Sequence, residues 1–167
     1  MHYRNLGRAG VKVSPLCLGT MMFGGQTEEA ESIRIMQKAL DQGVNFFDTA
    51  DMYARGQSEV VVGKALAGRR DKVVLATKGR QPMAEGPNQS GATRVHLMRA
   101  LDASLKRLGV DNVDIYYVHT PDYETPIEET IRALDDMVKS GKVCYTACAE
   151  RRERYSRPRC RSAGRTN

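Results

Sequence analysis

At 167 residues the chain is long enough for one domain with a real core, and 41 % apolar residues fit a globular protein. A mean hydropathy of −0.50 and the lack of any run near ~18 apolar residues exclude a membrane-spanning helix, and Met1-His2-Tyr3-Arg4-Asn5 lacks a signal peptide's apolar stretch; a cytoplasmic location is expected, with no membrane partner. The net charge of +6 sits almost wholly in the tail, since Glu150–Asn167 holds seven Arg and two Glu while residues 1–149 hold 19 Lys+Arg against 18 Asp+Glu; no basic patch precedes it, so no nucleic-acid partner is expected.

In chain order, Tyr3–Leu6 and Val11–Val13 flank Gly7-Arg8-Ala9-Gly10 and read as a short hairpin. Pro15–Thr20 reads as a first buried strand. A helix follows, with Thr27 as N-cap and Glu28, Glu29 and Glu31 at the positive end of its dipole. Ala30, Ile33, Met36 and Leu40 share one face, and Gly43 supplies the stop. The second strand is Val44–Phe47. Ser58 is expected to cap a short helix running to Gly68. Val73–Thr77 is the third strand, followed by a long polar loop over 81–91.

Thr93 opens the next helix, with Leu97, Leu101, Leu105 and Leu108 as its buried stripe and Gly109 as its end. The fourth strand is Val113–Val118. Thr125-Pro126-Ile127-Glu128 combines a capping box with proline at the first helical position. That helix is expected to bury Ile131, Leu134 and Val138 and to stop at Gly141. Val143–Ala147 begins a fifth strand. Four βα units with near-continuously apolar strands imply a parallel sheet covered by helices.

Four polar groups stand at or just beyond the ends of these strands. Asp48 ends Val44-Asn45-Phe46-Phe47, Lys78 follows Val73–Thr77, and His119 follows Ile115-Tyr116-Tyr117-Val118. Tyr53 lies five residues past Asp48 in the loop leaving that strand. In a parallel α/β barrel all such ends open on one face, where the four groups could converge. Taken singly, each has a plainer reading: a solvated strand-end lysine, a turn-capping aspartate, a packing tyrosine, a histidine bonded to a turn. Their appearance together at three successive strands argues against all four.

The set resembles the Asp/Tyr/Lys/His active site of the aldo-keto reductases. Asp48-Thr49-Ala50-Asp51-Met52-Tyr53, then Gly56-Gln57-Ser58-Glu59 and Val62-Gly63-Lys64-Ala65-Leu66, resemble that family's D-T-A-x-x-Y…S-E…G-x-A-L segment. Leu18-Gly19-Thr20-Met21 resembles its first strand and turn. Leu105-Lys106-Arg107-Leu108-Gly109 through Asp114–His119 resembles its fourth-strand region, and Gly141–Tyr145 its approach to the fifth. The likeness covers residues 2 to about 146. It implies a partial (β/α)8 barrel of the TIM family: an N-terminal hairpin that closes the barrel bottom, about four βα units and a fifth strand. A whole barrel needs about 250 residues.

The resemblance also implies a cofactor, NADPH, and a small aldehyde or ketone substrate. Carbonyl reduction delivers a hydride to carbon and a proton to oxygen. A tyrosine hydroxyl is a weak acid, and a neighbouring ammonium favours the phenolate. Lys78 can play that part for Tyr53, Asp48 can hold Lys78, and His119 can donate to the substrate carbonyl or share in the proton relay. For the cofactor, Gly19, Thr20, Met21 and Asp48 form a partial rim. Where the family continues with a Ser-Asn pair that contacts the nicotinamide, Ala149 and Glu150 stand here, and strands six to eight have no counterpart.

Two further readings compete with a truncated reductase. One is a non-catalytic barrel fragment that self-associates, or pairs with another chain, through open strand edges. The other is a metal-dependent barrel hydrolase. It fails on ligand count, because His2 is terminal, His96 lies on a helix and only His119 ends a strand. Cys17, Cys144, Cys148 and Cys160 form no C-x-x-C pair and read as reduced thiols; no metal is expected. The chain divides into a partial barrel, 1–149, and a basic, disordered tail, 150–167, read either as a nucleic-acid or membrane arm or as an end without a selected role.

Overall fold

The structure is a computed structural model that describes residues 1–148. The boundary at Ala149, the residues standing at the Ser-Asn position and the tail expectations lie outside the described residues. A two-stranded antiparallel hairpin comes first, β1 (Arg4–Asn5) and β2 (Lys12–Val13). Then strands and helices alternate: β3 (Leu18–Gly19), α1 (Glu29–Asp41), β4 (Phe46–Asp48), α2 (Gln57–Leu66), β5 (Val74–Gly79), α3 (Arg94–Leu108), β6 (Val113–Val118), α4 (Ile127–Lys139) and β7 (Val143–Cys148). A 3-10 turn over Tyr53–Gly56 precedes α2.

The five later strands form one all-parallel sheet in sequential order, with β3 and β7 at its edges. This is the parallel sheet that the strand pattern implied and the partial barrel that the resemblance implied. Alternation along each strand sorts side chains into two layers. Phe47, Leu75, Tyr116 and Val118 face the helices and join Met36, Val62, Leu97, Leu101 and Met137 in the main core. Val74, Ala76 and Ile115 face inward and pack with Val13, Leu6 and Val11 of the hairpin region. The hairpin therefore covers the inner face of the sheet, as expected of a barrel floor.

Polar contacts move several boundaries from their sequence-based places. Pro15–Thr20 pairs only at Leu18–Gly19. Proline offers no N–H, and the Ser14 hydroxyl donates to the Leu16 carbonyl at 2.6 Å, holding a turn instead. Thr27 does not cap α1; Glu28 stands at the cap, without a side-chain bond. Ser58 does not cap α2 but lies inside it, fully buried. Thr125 donates its hydroxyl to Asp122 at 2.8 Å rather than closing a capping box. Thr93 does cap α3, accepting from the His96 N–H at 3.3 Å, and Gly109 ends that helix in the left-handed region at φ 66°.

On α4 the buried stripe is shifted by one position. Thr130, Ala133 and Met137 are buried, while Ile131 and Val138 are exposed and Leu134 is half-buried. The Thr130 hydroxyl donates to the Ala92 carbonyl at 2.9 Å, and Glu129 accepts from the Arg94 N–H at 2.9 Å. These bonds turn Ala133 and Met137 toward α3 and leave the Ile127–Ile131–Val138 stripe outward. On α1 the same kind of shift exposes Ala30 and buries Ser32, whose hydroxyl donates to the Glu28 carbonyl at 2.9 Å.

These two faces make opposite demands on stability. Leu101→Ala opens a cavity in the main core and is expected to cost about 2–5 kcal/mol in urea unfolding. Ile131→Ala, on the outward stripe, is expected to stay within about 0.5 kcal/mol of the parent. Equal losses would show that the outward stripe is buried after all.

Candidate active site

Asp48 and Lys78 reach one point because their strands are paired. Asp48 lies opposite Ala76 on β5, and Lys78 stands two residues further on, on the same inward face. The ladder continues past β4, with the Thr49 N–H donating to Ala76 O at 2.9 Å and the Asp51 N–H to Lys78 O at 3.0 Å. The chain then turns, and the Tyr53 N–H donates to Ala50 O at 3.2 Å. Tyr53 is thereby brought back over the strand ends.

The Lys78 ammonium donates three hydrogen bonds: to Asp48 Oδ2 at 2.5 Å, to the Thr49 carbonyl at 2.9 Å and to the Tyr53 hydroxyl at 3.1 Å. An ammonium has three N–H groups, so this set uses all of them. The side chain of Lys78 is only 8 % exposed, against 26 % for Asp48. The nitrogen also lies 4.8 Å from the Tyr53 ring centroid. Because Tyr53 Oη accepts from Lys78, its own proton is left to donate elsewhere. His119 follows β6, its N–H bonded to Gly79 O at 2.9 Å. Its ring meets Tyr53 edge-on, with centroids 5.8 Å apart and planes at 79°. All four groups named from the sequence thus form one cluster.

The expected cofactor rim is mixed in character. Gly19 is exposed and pairs in register with Asp48, and a Cβ placed on it would touch nothing. Met21 is exposed beside it. Thr20 is fully buried, and its hydroxyl is already committed to the Asp48 carbonyl at 3.1 Å and to Ser58 Oγ at 2.9 Å. Gly19 and Met21 thus leave an open surface next to Asp48, backed by the bonded turn at Thr20.

Other groups, to which the sequence assigned no part in the site, hold it in place. Ser58 joins Thr20 and Thr49 in a buried hydroxyl network, with Thr49 Oγ1 at 3.0 Å. Glu59, fully buried on α2, accepts from Thr77 Oγ1 at 2.5 Å and from Arg107 Nε at 2.7 Å. Arg107 of α3 also lies across Gly56, where a Cβ would stand 2.7 Å from Arg107 Cδ and where φ is 88°. Only glycine suits that position. Beyond His119, Asp122 accepts from the Ala92 N–H at 2.6 Å and the Glu124 N–H at 3.0 Å. Burial pushes its carboxyl up, but these bonds outweigh it and hold it at about 2.

Among the described residues no cluster of His, Cys, Asp or Glu could hold a metal ion, and no helix is long and apolar enough to cross a membrane. His96 is buried on α3, where desolvation lowers its affinity for a proton. Cys17, Cys144 and Cys148 are free and exposed.

A sequential parallel sheet with an Asp–Lys–Tyr–His cluster at the C-terminal ends of its strands defines a class of half-barrel. The comparisons make the class specific. The sequence profile of the aldo/keto reductase family matches residues 15–154, and the chain belongs to that family. It is 46 % identical to an uncharacterized oxidoreductase of Bacillus subtilis over 156 residues, covering 87 % of this chain and 48 % of that protein. It is 44 % identical over 154 residues to a probable voltage-gated potassium channel subunit beta of Arabidopsis thaliana, covering 90 % of this chain and 47 % of the relative. Among solved structures, an aldo-keto reductase from Bacillus halodurans in its holo form superposes with a TM-score of 0.81 at 37 % identity. That match covers 89 % of this chain and 50 % of the other. The chain spans about half the length of the relatives it matches.

Arg107→Leu tests the support behind the site. It leaves the Glu59 carboxylate enclosed without its partner, so unfolding free energy is expected to drop by about 3–5 kcal/mol. An unchanged denaturation midpoint would show that the pair carries no such weight.

Proposed function

We propose that residues 1–149 carry the acid–base half of an NADPH-dependent carbonyl reductase site, with residues 150–167 as a basic tail outside it. The observation that carries this is the Lys78 ammonium, bonded at once to Asp48 and to the Tyr53 hydroxyl. In this reading Tyr53 is the proton donor to the carbonyl oxygen. Lys78 stabilises the phenolate that the transfer leaves behind, Asp48 orients and balances Lys78, and His119 directs the carbonyl toward Tyr53. Gly19, Thr20, Met21 and Asp48 would hold one side of the nicotinamide, which supplies the hydride. The substrate class is a small aldehyde or ketone.

An NADPH oxidation assay on a panel of aldehydes tests the reading. It is run on the 167 residues alone and on a chimera joining residues 1–148 to the second half of the Bacillus halodurans barrel. Tyr53→Phe keeps the ring but removes the donor, so turnover in the chimera is expected to fall by ~10²-fold or more. Reduction at the parent rate would overturn the assignment. The 167 residues alone are expected to run far below the ~1–10³ s⁻¹ of ordinary enzymes.

A specific observation also favours self-association. Among the described residues β3 and β7 are open edges, and Tyr145 of β7 and Ile127 and Ile131 of α4 are exposed apolar groups. Sedimentation of the 167-residue chain is expected to show concentration-dependent dimers or larger species. A stable monomer at all concentrations would exclude pairing through these edges.

A further inference from the structure

A buried acid lies directly behind the site and has no part in the chemistry above. Asp51 is fully enclosed, and neither carboxyl oxygen has a hydrogen-bond partner of good geometry among the described residues. A carboxylate in such a place is costly unless it is paired or uncharged. Asp51 stands between Asp48 and Tyr53, in the short segment that fixes their relation. Its own N–H is bonded to the carbonyl of Lys78, whose ammonium meets Tyr53.

The groups around it come from four elements. Glu59 of α2 turns a negative charge toward it, with Arg107 of α3 behind that charge. Lys78 of β5 acts on it from the side of the site. Tyr116 of β6 is fully buried within reach of its charge, and among the described residues the Tyr116 hydroxyl likewise has no partner. That hydroxyl occupies the space a side chain at Gly79 would take, 2.0 Å from the ideal Cβ. Burial first, and repulsion by Glu59 second, push the Asp51 carboxyl up to about 7, against an opposing interaction with the Met52 N–H, Arg107 and Lys78.

The segment that contains Asp51 is strained further on. Ala54 and Arg55 follow Tyr53 at φ 47° and 53°, in the left-handed region without being glycine. Such backbone persists only where its surroundings hold it. Arg107 lies against it at Gly56, and Thr49, Ala50 and Asp51 are fully buried ahead of it.

We propose that Asp51 is a positioning residue for Tyr53: as an uncharged carboxyl seated against Glu59 and Tyr116, it keeps the Thr49–Tyr53 segment down on the strand ends so that the phenol meets Lys78, and loss of its proton unseats that segment. The proposal rests on the reading of Tyr53 as the proton donor. Ionised, Asp51 places a second negative charge beside Glu59 in a dry pocket, and the segment relieves it by moving outward. The sign follows from linkage. The folded-state carboxyl holds its proton more tightly than the unfolded one, so stability falls as pH rises from about 4 to about 7 and levels off above.

Carbon-13 NMR of the 167-residue chain tests this, with aspartate carboxyl and tyrosine Cζ labels. Asp51 is assigned by its loss in Asp51→Asn, and Tyr53 by its loss in Tyr53→Phe. The Asp51 carboxyl is expected to titrate with a midpoint about 7, and the Tyr53 signal to shift with the same midpoint. In Asp51→Asn, Tyr53 is expected to keep its low-pH position throughout. An Asp51 midpoint near the ordinary ~4 overturns the proposal, as does a Tyr53 step that survives in Asp51→Asn. If Asp51→Asn does not fold, the parent decides alone: coincident midpoints support the proposal and separate ones sink it. No reading uses turnover, so its failure leaves the reductase assignment untouched, while full turnover in Tyr53→Phe would sink that assignment without altering the NMR coupling.

Discussion

A buried ammonium is tolerated only where each of its protons finds an acceptor, and Lys78 sets that condition for the whole upper rim of the sheet. Its three acceptors are of different kinds: a carboxylate, a main-chain carbonyl and a phenol. Each must arrive from β4 or the loop after it. The loop therefore has little freedom. It must leave Asp48, present the Thr49 carbonyl and fold back to Tyr53 within five residues. The ladder bonds from Thr49 and Asp51 to β5 give it that path.

Around this centre the helices act as clamps. Ser58 of α2 reaches Thr20 and Thr49, so the first two turns of the barrel rim are tied together through one hydroxyl. Glu59, one residue on, ties β5 to α3 through Thr77 and Arg107. Two successive residues of one helix thus link β3, β4, β5 and α3.

The repeating βα pattern was legible because fully buried parallel strands are apolar runs of fixed length, and because Gly43, Gly109 and Gly141 mark helix ends. β6 was read with its exact bounds. Asp48, Lys78 and His119 were legible for a related reason: a charged or polar residue that closes an apolar run stands out. The hydroxyl residues misled. Thr27, Ser58 and Thr125 carry the chemistry of a cap, but a hydroxyl bonds equally well to a distant partner, and sequence spacing does not tell the two apart. The α4 stripe misleads because Ile and Val are buried by type in most helices, whereas here the Thr130 and Glu129 bonds accompany a different rotation. The Thr49 carbonyl left no trace in the sequence, since every residue has one. Asp51 sits within the Asp48–Tyr53 motif, and only its enclosure sets it apart.

The saturation of Lys78 has a chemical consequence. A primary amine attacks a carbonyl carbon only through a free lone pair, and forms an imine when it does. With all three N–H bonds directed at Asp48, Thr49 and Tyr53, the Lys78 nitrogen presents no lone pair to the open side of the sheet. The open side of the cluster therefore presents the Tyr53 hydroxyl and no amine nucleophile.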